Sequence, residues 1–177
     1  MGTIQPRKNL KRLIKAFGIF LDRNIREGNT KNVANLKLVL AGGKGWLSDE
    51  IYDLPEKLGI GDRVIFLGRV EDIYLPVLYS GSLGFVYPSL YEGFGLPILE
   101  AMSCQTPVLS SNRSSIPEVA GSAAILVNPE SIEEIVEGLN QLLDKNVRVK
   151  LIKDGLLQVK KFSWERCARE TVELWKK

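Results

Sequence analysis

A chain of 177 residues, 45% hydrophobic and 25% charged, is long enough for one well-packed domain and has an ordinary globular composition, which excludes disorder and collagen-like structure. Its net charge of +3 is small and evenly spread, without the basic patch that nucleic-acid binding requires. With no histidine and only two cysteines, far apart and in no paired motif, the chain has no imidazole chemistry, zinc motif or disulfide framework; Cys104 and Cys167 read as buried thiols of a reducing compartment.

Short β-branched runs alternate with helical patterns along the chain, the mark of repeated βαβ units and a parallel sheet. Gly2–Ile4 reads as the first of six strands. Because Met1-Gly2-Thr3-Ile4 enters that strand abruptly, the chain is expected to be the second half of a larger protein. The turn at Gln5–Asn9 follows, and Asn9 stands where an N-cap belongs. Leu10, Leu13, Ile14, Phe17, Phe20 and Leu21 then recur at helical spacing. Lys8, Lys11, Arg12 and Lys15 share one face of that helical pattern. They read as a solvated face, with contact to an anionic membrane surface as the alternative.

The next strands are Lys37–Ala41, Val64–Leu67, Leu83–Tyr87, Val108–Ser110 and Ala124–Val127. Most are apolar without alternation, which implies burial on both faces in a doubly wound sheet. Pro55 and Pro76 interrupt helical patterns and belong in first turns or at helix breaks. Ser131 and Glu134 form a capping-box pattern ahead of the stripe Ile132, Ile135, Val136, Leu139, Leu142 and Leu143. The tail carries a helix near Val147–Lys161 and another after Ser163, whose stripe Trp164, Cys167, Ala168, Thr171, Val172 and Trp175 reads as core. No apolar run approaches the roughly 20 residues that a membrane helix needs, and no secretory leader pattern is seen. Without repeat or linker, residues 1–177 form a single Rossmann-like α/β domain with helices on both faces of about six parallel strands.

In such a sheet, ligands bind beyond the carboxyl ends of the strands, where helix N-termini and glycine turns offer N–H groups. The turns at Gln5–Asn9, Gly42–Gly45, Gly68–Val70, Pro88–Leu96 and Ser110–Ser115 are the candidates. The fourth reads Pro88-Ser-Leu-Tyr-Glu92-Gly93-Phe94-Gly95-Leu96-Pro97-Ile98-Leu99-Glu100. Gly93 and Gly95 let backbone approach a ligand closely, and Pro97 suits the first turn of a helix starting near Leu96. Glu100 is expected in that first turn, where the helix dipole favours its ionised form. A carboxylate there matches a vicinal diol such as ribose O2 and O3, and Glu92 lies where it meets a second polyol.

This segment resembles the E-x7-E region of retaining glycosyltransferases of family 4, which have the two-domain GT-B fold. The likeness extends to Gly2-Thr-Ile-Gln-Pro-Arg-Lys-Asn9, Leu40-Ala-Gly-Gly43, Val64-Ile-Phe-Leu-Gly-Arg-Val70, Ala101-Met-Ser-Cys-Gln-Thr-Pro-Val108 and Ser114-Ser-Ile-Pro-Glu-Val-Ala-Gly121, in that order. It implies the C-terminal, donor-binding half of a GT-B enzyme, with the acceptor held by an N-terminal domain outside this chain. Lys8 then binds the donor's diphosphate as a compact cation, Glu100 binds the ribose, and Glu92 contacts the transferred sugar at the reacting centre. Gly93, Phe94, Gly95 and Leu96 face the sugar and phosphates, and Val70 offers a main-chain contact to the base. Many members carry arginine where Thr3 stands, and Arg7 is the residue placed to supply that charge.

The implied substrate is a nucleotide sugar, UDP-, GDP- or ADP-linked, from which the full-length enzyme transfers a hexosyl unit with retention. No Asp-x-Asp occurs, so neither metal nor other cofactor is expected; cations and a helix end neutralise the leaving group instead. The cytoplasm is the expected location, with peripheral membrane association of the full-length enzyme. The isolated chain, holding half of a cleft, is expected to be inactive. An epimerase or phosphorylase half of the same architecture, and a non-catalytic nucleotide-binding domain, are the alternatives.

Overall fold

The structure, a computed structural model, describes residues 2–176; Met1, at the head of the expected first strand, lies outside them. Leu38–Ala41 (β1) and Val64–Gly68 (β2) pair in parallel, as do Phe85–Tyr87 (β3), Val108–Ser111 (β4) and Ala124–Val127 (β5). The hydrogen-bonded order is β1-β2 in one sheet and β3-β4-β5 in a second. Five of the six expected strands are thus present. The sixth, Gly2–Ile4, is reduced to an isolated parallel bridge between Ile4 and Lys44. Gly2 has φ +108 and is not extended, and Pro6, which has no N–H to donate, starts a 3-10 turn at Pro6–Lys8. Regular pairing is confined to the residue between them.

Helices cover both faces, and alternation along the strands divides the core accordingly. On one face Leu10–Arg26 (α1) buries Leu13, Ile14, Phe17, Phe20 and Leu21 against Ile132–Leu143 (α7), together with Leu38, Leu40 and Leu109. Leu109 is met there by Gly138, whose missing side chain lets helix and strand approach closely. On the opposite face Leu75–Ser80 (α4), Leu96–Ser103 (α5) and Ile116–Ala120 (α6) close over Phe85, Tyr87 and Val108. The short Thr30–Val33 (α2) and the Asp49–Lys57 helix (α3) flank the first sheet. Pro55 lies inside α3, two residues before its end, and Pro76 lies in the first turn of α4.

Ser131 caps α7 by accepting from the Glu134 N–H, while the Glu134 carboxylate reaches past it to the Asn128 N–H. Lys145–Val159 (α8) packs on α5, but Trp164–Trp175 (α9) buries none of its residues. Trp164 is 76% and Trp175 85% exposed. The apolar stripe forms as expected yet is not core, because periodicity marks a face without saying what covers it. Cys167 on that helix is exposed and Cys104 half-buried, so neither is the fully buried thiol its composition class favours.

Candidate functional site

The turns after the strands gather at one edge and are tied to one another. The Ile4 N–H donates to Gly43 O at 2.9 Å, Gly42 N–H to Gly68 O at 2.7 Å, and Leu90 N–H to Arg7 O at 2.9 Å. Asn9 sits at the cap position of α1 but in left-handed backbone, φ 59, and does not cap with its side chain. Its buried amide donates instead to Pro88 O at 3.0 Å and Pro129 O at 2.6 Å. One side chain thereby clamps the 5–9 turn against the 88–92 turn, placing Arg7 and Lys8 over Glu92.

Glu92 is nearly buried, and both of its carboxylate oxygens are used: Lys8 Nζ donates to Oε1 at 2.9 Å and Arg7 Nη1 approaches Oε2 at 2.7 Å. Arg7 also donates to Tyr91 O at 2.6 Å, and Lys8 to the Tyr87 hydroxyl. Burial acts to raise the Glu92 carboxyl, but the bonds from Lys8 and Arg7, helped by Ser89 and Tyr87, outweigh it and hold the group below its ordinary value. Burial and the neighbouring Glu92 push the Tyr87 phenol well up, so it remains a donor. The Ser89 hydroxyl, also buried, has no partner of good hydrogen-bond geometry, although its dipole favours the ionised Glu92. Two cations, an ionised carboxylate and two hydroxyls therefore meet in one small volume.

The backbone of the glycine turn is set by the 110–115 turn. Ser114 Oγ accepts from the Glu92 N–H at 3.0 Å, and Ser115 Oγ bonds Glu92 O at 3.0 Å and Phe94 O at 2.9 Å. Gly95, at φ 103 and ψ 38, caps α5, a conformation that L side chains rarely adopt. Phe94 and Leu96 stay largely exposed beside it, with Phe94 edge-on to Phe162. Gly93 has open space where a Cβ would stand.

Glu100 differs from expectation. Counting from Leu96 it is the fifth helical residue, and no acidic residue lies in the first turn of α5. The helix dipole therefore does not govern it. Glu100 is exposed and takes a hydrogen bond at 2.9 Å from the hydroxyl of Tyr79, the buried residue of α4, whose ring packs on Phe85. Burial and Glu100 together keep that phenol protonated and donating.

Val70 is half-buried in the turn after β2 and Thr3 is exposed. Neither joins the Arg7–Lys8–Glu92 cluster. Of the basic residues assigned to one solvated face, Lys8 turns inward to the cluster, Lys11 pairs with Glu50 and Arg12 donates to Asn9 Oδ1. Sequence reading missed the parts played by Tyr79, Tyr87, Asn9, Ser114 and Ser115. A tyrosine in an otherwise apolar run is the signal available for the first two, since a buried phenol needs a partner.

Among the described residues no three acidic or thiol side chains converge as a metal site, and no helix is long and apolar enough to cross a membrane. A layered α/β domain of parallel strands, with cations and a glycine turn at the carboxyl edge, defines a Rossmann-like architecture. Residues 1–157 match the family of glycosyl transferases group 1, and the chain belongs to that family.

The O-antigen chain mannosyltransferase B of Escherichia coli is 40% identical over 99% of this chain and 44% of its own length. An uncharacterized glycosyltransferase of Methanocaldococcus jannaschii is 33% identical over 99% and 43%. The chain thus spans less than half the length of these relatives. Among solved structures, sucrose-phosphate synthase from Thermosynechococcus elongatus superposes with a TM-score of 0.81 at 27% identity, over 99% of this chain and 44% of that one. The C-terminal domain of a group 1 glycosyl transferase from Francisella tularensis does so at 0.76 and 25%, over 91% and 82%.

Proposed function

We propose that this chain binds a nucleoside-diphosphate sugar across its carboxyl edge and is the donor-binding half of a retaining glycosyltransferase. The observation that carries the reading is the clustering of Lys8, Arg7 and Glu92 beside the Gly95 turn: paired cations suited to a diphosphate adjoin a carboxylate suited to sugar hydroxyls. On this reading Lys8 and Arg7 transfer from Glu92 to the incoming phosphates. The released carboxylate orients the sugar, and Lys8 stabilises the departing diphosphate. Glu100, oriented by Tyr79, takes the ribose diol. Val70 offers its backbone to the base, and Gly93, Phe94, Gly95 and Leu96 line the path between the two glutamates. No metal is required, because side-chain cations supply the neutralising charge.

The acceptor docks on an N-terminal domain of a longer protein, so residues 1–177 alone bind donor without transferring it. The full enzyme works in the cytoplasm or at the inner face of a membrane. The relatives named as mannosyltransferases make a mannosyl unit the first hexosyl group to test.

Titration calorimetry with UDP, GDP and ADP tests the site. A charge-assisted hydrogen bond contributes roughly 1.5–3 kcal/mol, so Glu100→Ala weakens the best of the three about tenfold or more. Equal affinity in that variant overturns the ribose assignment. Lys8→Ala weakens the diphosphates and leaves the parent nucleoside's binding unchanged; an equal loss for both sinks the phosphate assignment.

A further inference from the structure

We propose that Ser89 is a positioning residue for Glu92: its buried hydroxyl is held in reserve and, with the Tyr87 hydroxyl, takes the carboxylate whenever Lys8 and Arg7 leave it. That a diphosphate draws the cations away rests on the donor-binding function proposed for the chain; the reserve role of the hydroxyl does not. Ser89 is fully buried, and among the described residues its Oγ is the single buried side-chain polar atom without a hydrogen-bond partner. Such a group costs stability and calls for a use. Its place is fixed from both sides. Pro88 O accepts from the Asn9 amide at 3.0 Å and the Leu90 N–H donates to Arg7 O at 2.9 Å, so the backbone at 88–90 cannot carry the hydroxyl to the surface. Rotation about Cα–Cβ is the freedom left to it.

Glu92 needs such a reserve. Its side chain is 9% exposed, and its charged partners are Lys8 on Oε1 at 2.9 Å and Arg7 on Oε2 at 2.7 Å. A nearly buried carboxylate stripped of both either takes up a proton or swings out, and in each case loses the charge or the orientation that sugar hydroxyls would meet. Hydroxyl groups donate to a carboxylate without cancelling its charge. Ser89 and Tyr87 both lie close enough to Glu92 to favour its ionised form. Lys8 donates to the Tyr87 oxygen, which leaves the phenolic proton to be given to the carboxylate. Tyr87 is itself buried. Neither hydroxyl can therefore follow the cations to an anion bound at the edge, and both stay with Glu92 when the cations go. The titratable groups facing Glu92 are Arg7 and Lys8 from the 6–8 turn and Tyr87 from β3. The 110–115 turn packed against it gives Ser114 and Ser115, both bonded to the Glu92 backbone.

Carbon-13 NMR of the Glu92 carboxyl, assigned with Glu92→Gln, gives its titration midpoint in wild type, Ser89→Ala, Lys8→Met and the double variant, and in the first two also with excess inorganic pyrophosphate. Tm at neutral pH is measured on all four. In the free protein with Lys8 in place, Ser89→Ala is expected to move the midpoint little. Once Lys8 is removed or pyrophosphate is bound, the same substitution raises it by about one pH unit or more, as the loss of one hydrogen bond to a charged group should. Tm of Ser89→Ala stays at the wild-type value or rises, since no bond is lost. Equal shifts with and without Lys8 overturn the proposal. So does a fall in Tm of several degrees, which means that the hydroxyl is already bonded in the free protein. If removal of Lys8 reveals the Ser89 effect while pyrophosphate leaves the wild-type midpoint where it was, the reserve role of Ser89 stands and the assignment of Lys8 and Arg7 to a diphosphate falls.

Discussion

Lys8 and Glu92, 84 positions apart in the chain, are joined by a hydrogen bond of 2.9 Å at the carboxyl edge of the sheet. Arg7 holds the second Glu92 oxygen, so the carboxylate is fixed by two neighbouring residues of one 3-10 turn. Because its partners hold the folded carboxyl below the ordinary value of 4.5, its contribution to stability is present above that value. The contribution is lost as pH falls from there through the depressed folded value. Wild-type protein should therefore melt progressively earlier below about pH 5, where unfolded glutamate begins to bind protons. Glu92→Gln should already melt earlier at pH 7, by about 1–3 kcal/mol of stability, and show a shallower decline on acidification. Parallel pH profiles would remove Glu92 from this role.

Tyr79 positions Glu100 without reaching the edge itself. Its ring packs edge-on to Phe85, with 5.2 Å between centroids, while its hydroxyl orients the carboxylate. Tyr79→Phe keeps the ring and removes only that donor, leaving Glu100 solvated. Nucleotide affinity by calorimetry should fall about two- to tenfold, within the net contribution of a single hydrogen bond to a charged group, with Tm nearly unchanged. A large fall in Tm with unchanged affinity would show that the bond serves packing alone.

Gly138 separates stability from binding. A Cβ there would stand 2.3 Å from Leu109 Cδ1, at a fully buried residue of the central β4 strand. Alanine improves helix propensity, but overpacking a core contact costs about 1–3 kcal/mol. Gly138→Ala should lower Tm by several degrees and leave nucleotide affinity of the folded protein intact.

The helices of one core layer were legible because their apolar residues repeat at helical spacing: in α1 and α7, which share that layer, the expected stripe is the buried one, whereas the short α4 and α6 of the opposite layer carry no stripe long enough to read. The turns of the site were legible from glycine, proline and charge. What depends on distant partners was not. Leu96 was recognisable as a helix start, but the dipole assigned to Glu100 required it to lie one or two residues nearer that start, and its actual partner Tyr79 belongs to another helix. The stripe of α9 has the same periodicity as a core helix and no burial. Gly2–Ile4 reads as a strand by composition, yet a positive φ at Gly2 and the proline turn leave one bridge.

Gly95 links backbone conformation to the site directly. At φ 103 it occupies a region costly for any residue with a Cβ, and the added atom would also meet Ile98 Cδ1 at 3.4 Å. Steric contact at that distance is tolerable, so strain in φ decides the outcome, about 1–3 kcal/mol for a non-glycine residue. The chain can relieve it by rotating the 93–95 backbone, but Ser115 holds the carbonyls of Glu92 and Phe94. Relief therefore costs those bonds and moves the N–H groups at the head of α5. Gly95→Ala should lower Tm and weaken UDP, GDP or ADP binding together. Adding Ser115→Ala, which frees the two carbonyls, should recover part of the lost stability but none of the affinity. Calorimetry and melting on the single and double variants check this; strictly additive losses of stability would mean that strain at Gly95 is not transmitted through Ser115.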